Sequence, residues 1–479
     1  MSSRQAFDVV VAGGGSAGCV VAARLAEQTS RSVLLVEAGP DRRADAPPEL
    51  RDGWTIEREL FDWGYKSEPH ARGEVKPVRR KRLLGGTSWL TRFTPRGSPA
   101  DYDGWAGLGL VGWGWEEVLP HFVNLENDLD FGDKPWHGER GLIPSSRQLD
   151  DEFTGVGVAA VDALATVGFP LVDDHNEPGA VGAGRMPMNV LGGQRVTTVD
   201  AYLPLGGTPP NLTIRAEAQV DRVVFDGFEA VGVRLADGAT VEAGRVVLCA
   251  GVYGSPAILL RSEIGPEGSV ADLPGVGANL VDHPSVYVDF GYRGAGRAAP
   301  ALHTIATFRS SGRSSDETPD LMFWLADPTE EDPEFGVEVV LLRPRSRGSV
   351  RLRSSDPYDP ALIELPNLDD PSDVERLVEG YRRALEVAAQ PTLRRHCSGS
   401  EPAEPEDLEA LIRTELFSVP HTVGTCAMGS VVDASGNVYG VERLSVVDAS
   451  IMPDVPSGFT HIPTIMIAER LSEQIASRL

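Results

Sequence analysis

Residues 7–40 leave this chain few ways to begin folding. Asp8-Val9-Val10-Val11-Ala12 is short, β-branched and apolar, the composition of a strand buried on both faces in a parallel sheet. It runs into Gly13-Gly14-Gly15-Ser16-Ala17-Gly18, a match to G-x-G-x-x-G. Val20, Val21, Leu25 and Ala26 then recur at the spacing of one helix face. A second apolar strand, residues 32–36, ends in Glu37-Ala38-Gly39-Pro40. Strand, glycine turn, helix and strand in this order predict an α/β unit that binds a dinucleotide. Gly13 allows the tight turn, Gly15 lets backbone approach a pyrophosphate, and Gly18 lets the helix pack close to the strand. Ser16 and Ala17 open the helix, whose N-terminus offers free N–H groups and a positive dipole end to phosphates. Glu37 stands about 20 residues beyond the turn, where a carboxylate holds a ribose hydroxyl and repels the 2′-phosphate of NADP. FAD and NAD are not separated at this point.

The 479 residues suffice for about two to three domain-sized units. With 70 acidic against 44 basic residues, the net charge of −26 opposes nucleic acid or an anionic membrane as partner. Cys19, Cys249, Cys397 and Cys426 form no C-x-x-C pair, which suits a reducing compartment without disulfides or a zinc site. No stretch is long and apolar enough to span a bilayer, and the first six residues lack an apolar signal core. A cytoplasmic location, no membrane insertion and no metal are therefore expected.

Further along, residues 41–77 read as a long loop and Arg79-Arg80-Lys81-Arg82 as a solvated basic turn, with a place near the cofactor phosphates as the alternative. In Leu84-Gly85-Gly86-Thr87-Ser88-Trp89, paired glycines and hydroxyls let backbone amides reach the edge of a flat ligand. Residues 211–215 and 220–224 read as strands returning to the first sheet. Residues 231–242 read as a hairpin about Asp237-Gly238, and residues 245–249 as a further buried strand closed by Ala250-Gly251. A helix over 255–262 follows. Residues 285–417 alternate polar and apolar in several runs, the pattern of an antiparallel sheet, and 373–389 has the spacing of a surface helix. Phe323 and Trp324 could line a substrate pocket, but aromatic strand residues belong more often to a core.

These blocks together resemble the glucose–methanol–choline (GMC) family of FAD-dependent oxidoreductases. The resemblance runs through residues 84–97, Trp136-His137-Gly138 with Gly141, Arg195-Val196-Thr197-Thr198, residues 251–260, residues 273–280 with Asp282-His283-Pro284, residues 344–348, and His421 to Pro463-Thr464. It implies a Rossmann-like FAD-binding domain with an interleaved α+β substrate domain built on an antiparallel sheet. The expected division is 1–150, 195–285 and 418–479 for the FAD-binding domain, and 151–194 and 286–417 for the substrate domain.

The resemblance also implies site residues. The backbone of Val220 holds adenine, Asp448-Ala449 returns to the pyrophosphate, and the backbones of Ile462 and Thr464 meet the flavin's pyrimidine edge at the start of the last helix. Gly86, Thr87, Ala38, Ala250 and Gly251 complete the cofactor set. His421 matches the principal catalytic histidine that accepts the hydroxyl proton, and His461 matches the second position that hydrogen-bonds the substrate oxygen. Histidine suits the base role because its pKa lies near working pH. Leu90 stands where some members carry a histidine bonded to FAD, so non-covalent FAD is expected. Thr91 replaces the family's usual asparagine, and Glu263 the glycine usual in its second signature. The implied activity is oxidation of a small-molecule alcohol by hydride transfer to flavin N5, with electrons passed to O2, a quinone or a protein, by a monomer or homodimer. The alternative is a flavin-containing lyase of the hydroxynitrile lyase type.

Overall fold

The computed structural model describes residues 6–55, 57–69, 75–148, 154–294, 303–328, 334–399 and 403–479. Two sheets organise them. In chain order the sheet strands are β1 (Ala6–Ala12), β2 (Val33–Val36), β3 (Ala183–Arg185), β4 (Leu212–Arg215), β5 (Val220–Asp226), β6 (Glu229–Leu235) and β7 (Thr240–Leu248). They continue with β8 (Pro284–Gly291), β9 (Thr304–Phe308), β10 (Leu321–Ala326), β11 (Glu334–Leu341), β12 (Phe417–Ser418) and β13 (Leu444–Val446). The first sheet runs β4-β2-β1-β7-β6-β5, with β13 also paired to β7. Its β4, β2, β1, β7 and β13 lie parallel. The second sheet runs β12-β8-β11-β10-β9-β3 and is antiparallel throughout.

Helix α1 (Ser16–Gln28) buries Val20, Val21, Leu25 and Ala26, the positions whose spacing predicts it. It packs on the C-terminal helix of the chain, His461–Ala476. The hairpin expected about Asp237-Gly238 forms between β6 and β7, and its second arm runs on without a break into the strand expected at 245–249 as the single strand β7. Its beginning pairs antiparallel with β6, and its end pairs parallel with β1 and β13. The helix expected over 255–262 begins earlier and is α2 (Gly251–Arg261), with Pro256 inside it. Proline removes the N–H that the carbonyl of Val252 would accept. The hydroxyl of Thr425 takes that place, donating to Val252 O at 2.6 Å.

Helix α3 (Pro371–Ala388) is less of a surface helix than its charge suggests. Val374, Leu377, Gly380, Tyr381, Ala384 and Val387 are buried against the second sheet. Buried Asp373 in its first turn accepts from the N–H groups of Arg345 and Ser346. The C-terminal helix is α4 (His461–Ala476), and Pro463 sits in its first turn, where no N–H is needed. The region read as a loop, 41–77, holds a short helix (Pro48–Arg51) and the strand Tyr65–Lys66, paired with Pro77–Val78. Residues 56 and 70–74 of that region lie outside the described set.

Candidate active site

One cavity of about 1030 Å³ joins the carboxyl edge of the first sheet to a face of the second. At the first sheet the three fingerprint glycines occupy different surroundings. Gly13 has φ +103°, and an added Cβ would lie 2.5 Å from Cys249 O. A Cβ on Gly18 would meet Gly13 O at 1.8 Å, so helix and turn touch there. At Gly15 the nearest atom to such a Cβ is Gly86 Cα, at 4.0 Å, leaving the backbone open to the cavity. Glu37 is buried, and its carboxylate accepts from Gly14 N at 2.8 Å and Gly39 N at 2.7 Å. Burial pushes its pKa up to about 7, while these N–H groups and Arg82 oppose the rise. The two bonds use half of a carboxylate's acceptor sites.

Asp448, just after β13, ties the C-terminal block to α2. It accepts from Gly251 N at 2.9 Å, Ser255 Oγ at 2.6 Å and Ser450 N at 2.8 Å. Gly13, Gly15, Ser16, Ala17, Glu37, Ala38, Gly86, Thr87, Val220, Ala250, Gly251, Asp448, Ala449 and Thr464 all line the cavity, as do His421 and His461. Two expected residues do not line it. Gly18 packs inside the turn, and the side chain of Ile462 belongs to the first core, leaving only its backbone to serve a ligand. The glycine-lined strip, the carboxylate at the end of β2 and the N-terminus of α4 fit an extended dinucleotide.

At the other end of the cavity the second sheet supplies a wall by strand alternation. Along β10, Leu321, Phe323 and Leu325 face the core under α3, whereas Met322, Trp324 and Ala326 face the opposite way. Phe323 is therefore core as expected, but Trp324 lines the cavity, a correction that follows from its position on the face turned away from α3. Trp324 pairs across strands with Glu338 on β11, and Glu338 with Tyr287 on β8. Glu338 is buried and accepts from Ser285 Oγ at 2.6 Å and Tyr287 OH at 2.8 Å. Burial raises its pKa against those two bonds.

Phe93, Trp324 and Phe459 form a triangle of rings, with centroids 4.8 Å (Phe93–Trp324), 5.3 Å (Phe93–Phe459) and 5.3 Å (Trp324–Phe459) apart. His421 packs edge-on against Phe459 at 4.7 Å. Burial holds the His421 pKa well below the ordinary histidine range, with His283 and Arg80 adding to the effect. His461 is depressed to about 3, by burial and then by Arg195, and its Nε2 has no hydrogen-bond partner among the described residues. Both rings are thus neutral at ordinary pH.

The basic run is solvated only in part. Lys81 is 3% exposed and donates to Glu57 Oε2 at 2.6 Å. Arg80 lies over the ring of Tyr253 at 5.1 Å and donates to the hydroxyl of Thr422, beside His421. Lys81 is buried and Arg79 and Arg80 are half-buried, whereas Arg82 is exposed and lies over the ring of Trp63; all four line the cavity. Sequence reasoning also gave no site role to Phe93, Tyr287, His283 and Glu338. Only the last two left a signal: His283 within the quoted Asp282-His283-Pro284, and Glu338 as the lone acid in an apolar run. His137 and its acids lie apart. Glu126, Asp128 and His137 bring three donor atoms together, but Arg147 and Asp174 already satisfy them, and none lines the cavity.

Models of the GMC oxidoreductase family match residues 7–285 and 344–468. The chain belongs to the GMC oxidoreductase family. It is 34% identical to the 5-(hydroxymethyl)furfural oxidase of Methylovorus sp., covering 98% of this chain and 99% of that one. Against the oxygen-dependent choline dehydrogenase of Pectobacterium atrosepticum the identity is 32%, covering 98% and 95%. The crystal structure of pyridoxine 4-oxidase from Mesorbium loti superposes with a TM-score of 0.89 at 30% identity, covering 98% of both chains. This GMC chain is an FAD-dependent oxidoreductase of the alcohol (CH–OH) class. No helix among the described residues is long and apolar enough to cross a membrane.

Proposed function

We propose that this GMC enzyme oxidises a small-molecule alcohol to an aldehyde or ketone, with His421 as base, and passes the electrons to O2 or to a non-nicotinamide acceptor. The observation that carries this reading is the placement of a neutral, half-buried His421 in the same cavity as the glycine-lined cofactor strip. FAD lies along Gly13, Gly15, Ser16, Ala17, Glu37, Ala38, Gly86, Thr87, Val220, Ala250, Gly251, Asp448, Ala449 and the backbone of Ile462 and Thr464. It is held without a covalent bond, since Leu90 offers no nucleophile. When bound, it supplies the hydride acceptor at N5.

Against that acceptor the protein has three tasks. His421 takes the hydroxyl proton; its depressed pKa keeps the ring unprotonated and ready. His461, with an unpartnered Nε2, holds the substrate oxygen. The triangle of Phe93, Trp324 and Phe459 excludes water and shapes the slot, while Glu338 offers an acceptor to a second polar group on the alcohol. The positive end of α4 favours negative charge developing nearby. In this reading residues 1–150, 195–285 and 418–479 serve the cofactor, and 151–194 and 286–417 the substrate.

The test is anaerobic flavin absorbance during titration with primary, aryl, sugar and amino alcohols, followed by air. Bleaching by any alcohol supports the reading, and the speed of recolouring in air sorts O2 from other acceptors. A bound flavin that no alcohol bleaches overturns it in favour of the lyase chemistry. In His421→Ala the flavin stays bound while its reduction slows about 10²–10⁴-fold; an unchanged rate removes His421 from the mechanism.

A further inference from the structure

His421 is held from behind by a second histidine. His283 precedes β8, is fully buried, and its Nδ1 lies 3.0 Å from His421 Nδ1 with the rings near perpendicular at 83°. Two neutral imidazoles meeting nitrogen to nitrogen share one proton: one ring donates and the other accepts. Both are neutral, because burial depresses both, and Arg80 beside His421 and Arg343 beside His283 oppose any added proton.

The two arrangements have opposite chemical consequences. If His283 donates, the proton of His421 sits on Nε2, and an N–H that cannot accept faces the cavity. If His421 donates, its Nε2 carries a bare lone pair. The surroundings of His283 decide between them. The neighbouring carboxylate of Asp282 is engaged elsewhere, accepting from the N–H groups of His283 and His421 and from the hydroxyl of Ser418. The enclosed Nε2 of His283 makes no hydrogen bond of ordinary length. The carbonyls of Leu342 and Pro456 favour a proton on the ring, and with Nδ1 turned to His421 the nitrogen left to carry it is Nε2.

We propose that His283 is a positioning residue that keeps the proton of His421 on Nδ1 and leaves the Nε2 lone pair for the alcohol. The proposal rests on the reading of His421 as base. When Nε2 takes the hydroxyl proton, the His421 ring becomes an imidazolium, and its Nδ1–H remains bonded to His283; no other proton has to move. A wrong tautomer would disable the base without displacing it.

The pair can be read directly in long-range ¹H–¹⁵N spectra of the FAD-loaded protein, labelled in its histidine rings and free of substrate. His421→Gln and His283→Asn assign the two rings among the nine histidines. The expected pattern is a protonated Nδ1 and bare Nε2 on His421, and the reverse on His283; a proton on His421 Nε2 overturns the proposal. In His283→Leu, the His421 signals move toward a tautomer average, and flavin reduction by the fastest panel alcohol slows about 10–100-fold. His283→Asn, whose carbonyl stands where Nδ1 stood, regains most of that loss. Equal slowing in both variants with the tautomer unmoved would assign His283 to packing alone and sink the proposal. Undiminished turnover in His421→Ala instead sinks the base reading, while the wild-type spectra still decide the tautomer.

Discussion

An added Cβ at Gly15 would find its nearest neighbour 4.0 Å away, whereas at Gly18 it would sit 1.8 Å from a carbonyl oxygen. Gly15 has φ −79°, a conformation open to any residue. Gly15→Val is therefore expected to fold with a circular-dichroism melt close to that of wild-type apoprotein, yet to purify without flavin absorbance. A fully flavinated variant would contradict the placement of the pyrophosphate. Glu263, which stands where the family usually has glycine, adopts φ +60°. A side chain in the left-handed region costs about 1 kcal/mol. Glu263→Gly should raise the midpoint of thermal unfolding slightly, by the equivalent of about 0.5–1 kcal/mol, and leave turnover alone; a lower midpoint would mean that the contact from the Ser269 hydroxyl outweighs the strain.

At the scale of elements, the second sheet sorts its residues by parity. One face of β8, β10 and β11 packs on α3, and the other presents Tyr287, Trp324 and Glu338 to the cavity. A buried carboxylate held only by neutral hydroxyls is a poor stabilising device. Glu338→Leu should therefore leave the melt unchanged or raised. It should also raise KM at least tenfold for alcohols with a second hydroxyl or amino group, and much less for benzyl alcohol. Equal KM changes for both classes would show that Glu338 does not meet the substrate. The alternation of β10 was legible in the sequence. Which parity faces α3 was not, because it depends on a helix about fifty residues further along the chain.

At the scale of the molecule, a buried charge network joins distant segments. His137 donates toward Glu126 at 2.6 Å and Asp174 at 2.9 Å, and Arg147 pairs with Asp128 and Asp174. Burial works against the imidazolium, but Asp174 and Glu126 overcome it and raise the His137 pKa to about 9. With a folded pKa above the unfolded value of about 6.5, this stability is complete below pH 6.5 and lost as pH rises through 9. His137→Gln should lower the melting temperature most at pH 6, with the difference from wild type shrinking by pH 10; a gap that does not depend on pH would assign the loss to packing.

Sequence by itself determined the cofactor end of this protein. Strand, glycine turn, helix and acid are contiguous, so local propensity and backbone geometry suffice to place Gly13, Gly15 and Glu37 around one turn. Where partners are far apart in sequence, only the tertiary structure decided. His283 and His421 meet across 138 residues. Arg80 reaches Thr422 across 342. Trp324 turned out to face the cavity because of where α3 packs. Residue types and spacing carry no information about which of many distant polar groups will share a desolvated site. That is settled by sheet register and by the requirement that buried polar atoms find partners.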